Sequence, residues 1–377
     1  MKTIKQAQIK DKNVLVRIDT DILDDNSIIK DDSRLEASIP TLKYLLENGA
    51  KVTIIGHIGR PGGKEVGKLK MRPVEDKLIE LLGTHTNWQI LENLRFNPGE
   101  EKNDPEFAKL LATGQDIFIN DSFGTCHRPH ASIVGITKLL PSFAGFGIVK
   151  EIENLTRLLE SKEKPFTVIL GGAKIADKLP VIKNLMSKAD NFLIGGAIAN
   201  TFLAARRHHL GKSLVEEDFF REANIIWQSI MDEPDKSIFL PTDLVLSKSM
   251  EKPIEIQTIQ VKKLIKPDAF HDFAAVDIGP ETIQTFSTKI LQSRRIFGNG
   301  NMGISEVPEF AEGTKKIAEI IAKSSAQVVI GGGDTVAAYE SLNIPPKENI
   351  FLSTGGGATS EFLAGKQLPG LVVLDYK

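Results

Sequence analysis

Two sets of residues in this 377-residue chain have types and spacings suited to holding anions. The first is cationic. Asp19 and Asp21 follow the run VLVRI, Arg34 lies in DDSRL, and His57 and Arg60 lie in GHIGRP. Arg95 follows in LENLRF, and His127, Arg128 and His130 in GTCHRPH. Arginine's planar fork binds carboxylate and phosphate bidentately. Four arginines and up to three histidines on one face repel one another unless an anion joins them. As a set they predict a small polyanion as ligand. Any one of the arginines could instead be solvated or paired with Asp31, Asp32, Glu92 or Asp121. The second set is built on glycine: GGAKIADK (171–178), GGAIAN (195–200), GGGDT (331–335) and TGGGATS (354–360). Glycine lets backbone approach a ligand closely, and amides at a helix start bind phosphate without a cationic side chain. Four such turns predict a nucleotide cleft. Lys174 and Lys178, at i and i+4, are expected on one face at the start of a helix. Asp334 suits Mg²⁺, which needs one or two carboxylates beside substrate phosphates; its other reading is a helix N-cap.

These residues sit at the ends of short apolar runs, and the runs imply the scaffold. Strands are expected at 14–19, 51–55, 116–119, 166–170, 192–195, 272–276, 327–330 and 349–352. The runs are nearly continuous in Val, Ile and Phe, as strands buried on both faces are. Helical patterns lie between them near 35–48, 72–82, 104–112, 175–188, 215–231, 309–323 and 335–342. Strand and helix in alternation mean an α/β protein with parallel sheets, whose ligands lie beyond the carboxyl ends of the strands. A long helix over 144–161 is expected to join two lobes that face a shared cleft.

Composition narrows the class further. Hydrophobic residues make up 41% and charged residues 25%, which excludes global disorder. A net charge of -2 argues against a dedicated nucleic-acid or membrane-surface protein. No apolar leader or 18-residue apolar run occurs, so a cytoplasmic location is expected. The single Cys126 cannot form an internal disulfide. Paired with His127 it lacks a third group to orient a nucleophile, and a metal site on His57, His127 and His130 is opposed by Arg128. GGKEVGKL (62–69) departs from a Walker A loop, with Leu69 at the Ser/Thr position. GNGNMG (298–303) fits GxGxxG, but Pro308 interrupts the run and no acid follows at the right distance for a nicotinamide site.

The ordered stretches VLVRID, GHIGRP, LENLRFNPGEEKNDPEFA, NDSFGTCHRPHAS, GGAKIADK, GKSLVEED, DIGPETI, GGGDT and STGGGATSEFLAGKQLPG run through essentially the whole chain. In them the chain resembles the phosphoglycerate kinase family. The resemblance implies two Rossmann-like lobes, each a parallel sheet covered by helices, with a cleft between them and hinge closure. It implies an N-lobe of residues 1–143 plus 360–377 for phosphoglycerate, the joining helix at 144–161, and a C-lobe of 162–359 for the Mg-nucleotide. Residue by residue, Asp19, Thr20, Asp21, Arg34, His57, Ile58, Gly59, Arg60, Arg95 and Arg128 resemble the substrate-binding positions. Gly171, Gly172, Lys174, Lys178, Gly195, Gly196, Asn299, Glu306, Gly331, Gly332, Gly333, Asp334 and Thr335 resemble the nucleotide-binding ones, with Asp334 also the metal ligand. Arg34, Lys174, Gly356 and Gly357 are expected to act on the moving phosphoryl group. The implied partners are 3-phosphoglycerate, 1,3-bisphosphoglycerate and ATP or ADP with Mg²⁺, and a monomer is expected, with neither nucleic acid nor membrane.

The resemblance also breaks in places. Thr20 and Asp21 stand where the family has phenylalanine and asparagine, and a carboxylate facing an anion lowers affinity unless it is paired or protonated. In GNGNMGISE, Gly298 replaces tryptophan, Asn301 proline and Ser305 phenylalanine, so altered contact to the base is expected at the last two. Between Gly83 and Trp88 the family has an extra strand–helix unit, so a smaller first sheet is expected. A catalytically impaired paralogue that binds nucleotide or phosphoglycerate is the alternative reading.

Overall fold

A computed structural model of the chain describes residues 1–24, 26–29, 32–83, 87–266 and 270–376. It divides into two compact units, Met1–Glu153 with Lys366–Lys377, and Asn154–Gly365. The first division falls within the helix Phe146–Glu160.

The first unit is built on five parallel strands. They are β1 (Asn13–Arg17), β2 (Lys51–Ile55), β3 (Trp88–Ile90), β4 (Ile117–Asn120) and β5 (Ser142–Ala144), in the order β3-β2-β1-β4-β5. Side chains alternate across a strand, and here both faces are apolar. Val14 and Val16 join Leu42, Ile54, Val74 and Leu78 on one side, while Leu15 packs with Ile55, Leu111 and Phe118 on the other. The C-terminal segment is tied to this unit: Gly370 N–H donates to the Cys126 carbonyl at 2.8 Å, and Lys2 N–H to the Leu374 carbonyl at 3.0 Å.

The second unit begins with β6 (Phe166–Leu170), β7 (Asn191–Ile194) and β8 (Ser237–Phe239). Next come β9 (Asp243–Ser247), β10 (Gln257–Gln260) and β11 (Ala274–Ile278), then β12 (Arg295–Asn299), β13 (Gln327–Gly331) and β14 (Ile350–Leu352). Six of them form a parallel sheet in the order β14-β13-β12-β6-β7-β8. The other three form an antiparallel sheet, β10-β9-β11. The strand expected at 272–276 is therefore β11, and it is not parallel to its neighbour. The segment 248–256, which joins β9 to β10, is long enough to turn the chain back and too short for a parallel crossover, which takes a dozen or more residues, so that pair is antiparallel as well.

Proline sets two helix starts apart from expectation, because it fits only the first turn. Pro40 divides the pattern at 35–48 into Ser33–Glu36 and Ile39–Glu47. Pro180 delays the helix expected from 175, which runs Leu179–Leu185. Lys174 and Lys178 therefore do not share a helix face; they lie in the turn before it, Lys178 as N-cap. Among the described residues no helix is long and apolar enough to cross a membrane.

Candidate active site

The carboxyl ends of β1 and β2 and the turns after β3 and β4 carry the cationic set of the first unit. Asp19 is buried and accepts from Asp21 N–H at 3.3 Å; burial raises its carboxyl above the ordinary value, against the pull of Arg34. Thr20 is fully buried and donates through Oγ1 to the His57 carbonyl at 2.7 Å, so it braces the two strand ends. Asp21 accepts the Gly59 N–H at 2.8 Å through Oδ1, and its Oδ2 lies 3.8 Å from His57 Nε2. The anionic intruder is thus held by a backbone donor. Ile58 is buried, and its carbonyl receives Asn93 Nδ2 at 2.8 Å. Gly59 also accepts Arg95 at 2.7 Å, and Arg95 meets Glu101 at 3.3 Å.

The arginines do not use the carboxylates that were candidates for them. Asp32 pairs with Lys77 at 2.9 Å, Glu92 accepts the Met71 and Asn93 amides, and Asp121 accepts the Gly147 and Ile148 amides. Asp31 lies outside the described residues. Among the described residues Arg34 donates to the Asp21 carbonyl, at 3.3 Å, and Arg60 and Arg128 are exposed. Among the described residues these three make no salt bridge, leaving donors for an incoming anion. Burial first, and then the surrounding arginines Arg17, Arg95 and Arg34, hold the His57 imidazole well below its ordinary value, so it is neutral. His130 faces the fully buried Glu100 at 3.6 Å. Burial pushes the Cys126 thiol up, which removes it as a nucleophile. The described residues hold no cluster of three metal-ligating side chains.

In the second unit, a cavity of ≈ 500 Å³ opens at the carboxyl ends of β6, β12 and β13. Gly171, Gly172, Lys174 and Lys178 line it, as do Gly196, Asn299 and Glu306. Gly332, Gly333, Asp334 and Thr335 complete that wall. Gly195 and Gly331 stand behind it; a Cβ on the former would strike Met302, and one on the latter would press Thr359 at 3.2 Å. Gly300, at φ +95°, donates its N–H to Thr335 Oγ1 at 2.6 Å, and a Cβ there would land on the Gly171 carbonyl. Lys178 Nζ donates to Asn299 Oδ1, and burial lowers the Lys178 ammonium against the pull of Asp177 and Asp334. Asp334 lies in the first turn of the helix Gly333–Glu340, whose N-cap is Gly332; its carboxylate is exposed and makes no cap bond. Gly356, at φ +52°, caps the helix Gly357–Leu363, with open space beside its α-carbon.

The far wall of this cavity is apolar and was not anticipated as a set: Leu214, Leu244, Met250, Val276, Ile278 and Ile304. β9 and β11 supply three of these. Leu214 lies in GKSLVEED, Ile278 in DIGPETI and Ile304 in GNGNMGISE, whereas Leu244, Met250 and Val276 lie in no quoted motif. Asn301 lines the cavity, but Ser305 does not; its Oγ lies 3.4 Å from Thr314 Oγ1.

Each unit thus groups, at the ends of its parallel strands, residues whose chemistry suits an anion. The phosphoglycerate kinase family model matches residues 4–366. The chain belongs to the phosphoglycerate kinase family. It is 44% identical to the phosphoglycerate kinase of Dictyoglomus turgidum, across 99% of this chain and 98% of that protein. It is 41% identical to that of Rubrobacter xylanophilus, again across 99% and 98%. The solved phosphoglycerate kinase of Coxiella burnetii matches with a TM-score of 0.85 at 32% identity, over 99% of this chain and 98% of that one. The Pyrococcus horikoshii enzyme gives the same score and identity, over 100% and 98%. As a family member the chain is a phosphotransferase that uses ATP or ADP as co-substrate.

Proposed function

We propose that the chain transfers a phosphoryl group reversibly between the acyl phosphate of 1,3-bisphosphoglycerate and ADP, giving 3-phosphoglycerate and ATP. The observation that carries this reading is the pairing of chemistries. One unit presents Arg34, Arg60 and Arg128, which make no salt bridge among the described residues, and the other a glycine-lined cavity with an apolar end. The first suits a small carboxylate–phosphate, with Asp19, Thr20, Asp21, Ile58 and Gly59 shaping the floor and Arg34, His57, Arg60, Arg95 and Arg128 donating. The second suits a nucleotide, its base against Leu244, Val276 and Ile278 and its phosphates on the glycine turns.

Transfer between a carboxylate oxygen and ADP needs no protein nucleophile. It needs in-line placement and charge on the equatorial oxygens. Arg34 on one unit and Lys174 on the other take that role, with the amides around Gly356 and Gly357. Lys178 is held by Asn299 beside the same phosphates. Asp334 fits Mg²⁺, because its carboxylate is exposed and free of a cap bond and the described residues offer no all-protein cage. Bound there, the ion would neutralise phosphate charge. The protein works as a cytoplasmic monomer without nucleic acid.

A coupled assay with 3-phosphoglycerate, ATP and Mg²⁺ tests the reading. Turnover that requires all three supports it. ADP binding without turnover would overturn it.

A further inference from the structure

Arg17, the last residue of β1, is completely buried and belongs to neither set described above. Its guanidinium donates to the Ile18 carbonyl at 3.2 Å and lies 2.9 Å from His57 Nδ1. A guanidinium has five donors and no acceptor and keeps its proton in proteins, so the second contact has only one sense. Nδ1 must accept. An imidazole that accepts at Nδ1 carries its single proton on Nε2, and a second proton would face the guanidinium head-on. Nε2 points the other way, to the side where Asp21 Oδ2 lies at 3.8 Å.

The charged groups around the ring favour the same state. Arg17 comes from β1, Arg34 from Ser33–Glu36, Arg95 from the turn Leu94–Phe96 and His130 from the loop after β4. Asp21 is the acid on the Nε2 side, and its other oxygen is already held by Gly59 N–H. Glu100 and Asp19 balance Arg17 electrostatically from behind.

We propose that Arg17 is a positioning residue that locks His57 as the neutral Nε2–H tautomer, so that the ring offers the substrate one directed N–H rather than a titrating charge. The proposal rests on the reading of His57 as a substrate ligand. Arg17 has no surface with which to touch substrate and acts through His57. A neutral donor on a fixed axis discriminates by direction, because it accepts an oxygen only where Nε2 points. The arginines around it supply the charge.

The test is ¹⁵N NMR of the histidine-labelled protein, with His57 assigned from His57→Gln, followed through the imidazole titration range. The expected wild-type spectrum keeps an unprotonated Nδ1 and a protonated Nε2 at every pH. In Arg17→Met both ring nitrogens are free to carry the proton, and the ring should titrate at a higher pH than in wild type while burial and the remaining arginines still hold it below its ordinary value. Its KM for 3-phosphoglycerate, relative to wild type, should then fall about fivefold as the pH drops through that range, since a charged donor binds an anion more tightly. Arg17→Lys, which keeps the charge and loses the fork, serves where the methionine variant does not fold. A wild-type His57 that titrates near 6.5 or carries its proton on Nδ1 overturns the proposal, as does a ring unchanged in both variants. A locked ring combined with an unchanged KM in His57→Gln would instead overturn the reading of His57 as a ligand.

Discussion

The two units solve one problem, holding phosphate at the ends of parallel strands, by opposite means. The first projects charge through Arg34, Arg60, Arg95 and Arg128, and the Asp21 and Gly59 carbonyls orient Arg34 and Arg95. The second withdraws side chains, so that the glycines Gly172, Gly300 and Gly332 leave room for a ligand beside the backbone, with Lys174 and Lys178 lining the same cavity. A small acid must be told apart from many other small anions, and directed side-chain donors do that. A polyphosphate is long and generic, and closely spaced amides suit it. Both units share one supporting device, a buried aspartate at a strand end that holds backbone amides. Asp121 takes Gly147 and Ile148 N–H, and Asp277 takes Gly313 and Ile278 N–H; burial pushes each carboxyl up to about 7. The lesson is that the first site fails when charge is removed, and the second when a methyl group is added.

The largest expected effect falls on the two cations proposed to act on the moving phosphoryl group. Arg34→Ala and Lys174→Ala should each lower kcat by about 100-fold or more, since each removes charge that matters most in the transition state. Steady-state kinetics that show a change in KM alone would contradict their assignment. Next, Arg60→Ala should raise the KM for 3-phosphoglycerate by about tenfold, the loss of one charge-assisted contact, and leave that for ATP unchanged. A rise in both would erase the division of labour.

The smallest effect tests the shared device. With its carboxyl raised to about 7, folded Asp121 keeps a proton that the unfolded chain releases near 4, so the folded state binds more protons between the two values. Stability therefore falls as pH rises through that window and is flat above it. Asp121→Asn keeps an acceptor for the two amides and removes the titration. Its Tm, measured by calorimetry on either side of the window, should lose part of the wild-type decline, a difference of a few °C. An unchanged slope would place the linkage elsewhere.

Much of this was legible because chemistry-bearing residues follow strongly apolar strands. β1, β2, β4, β6 and β13 lie within a residue or two of their expected places, and the glycine turns follow from them. The three-residue strands β3, β5 and β8 are too short to show a period. The helix Gly196–Ala205 is buried from Ile198 to Leu203 and so offers no amphipathic pattern. β10, QTIQ, is too polar to read as a strand. The apolar end of the nucleotide cavity escaped because Leu244, Met250 and Val276 carry no motif, and nothing in the sequence joins them to Leu214, Ile278 and Ile304. Arg17 escaped for the opposite reason: within VLVRID it reads as one polar interruption of a core strand, and only the fold shows that His57 completes it. Asp21 looked repulsive in the sequence, and its partner proved to be a backbone amide, which composition cannot reveal.

The most direct test of the contrast is calorimetric titration of Gly300→Ala with ADP and, separately, with 3-phosphoglycerate. The added methyl group meets the Gly171 carbonyl at a backbone angle that disfavours any side chain. ADP affinity should fall by about tenfold or more while 3-phosphoglycerate binds as in wild type. Equal losses for both ligands, or an unchanged ADP affinity, would contradict the account of two independent sites built by different means.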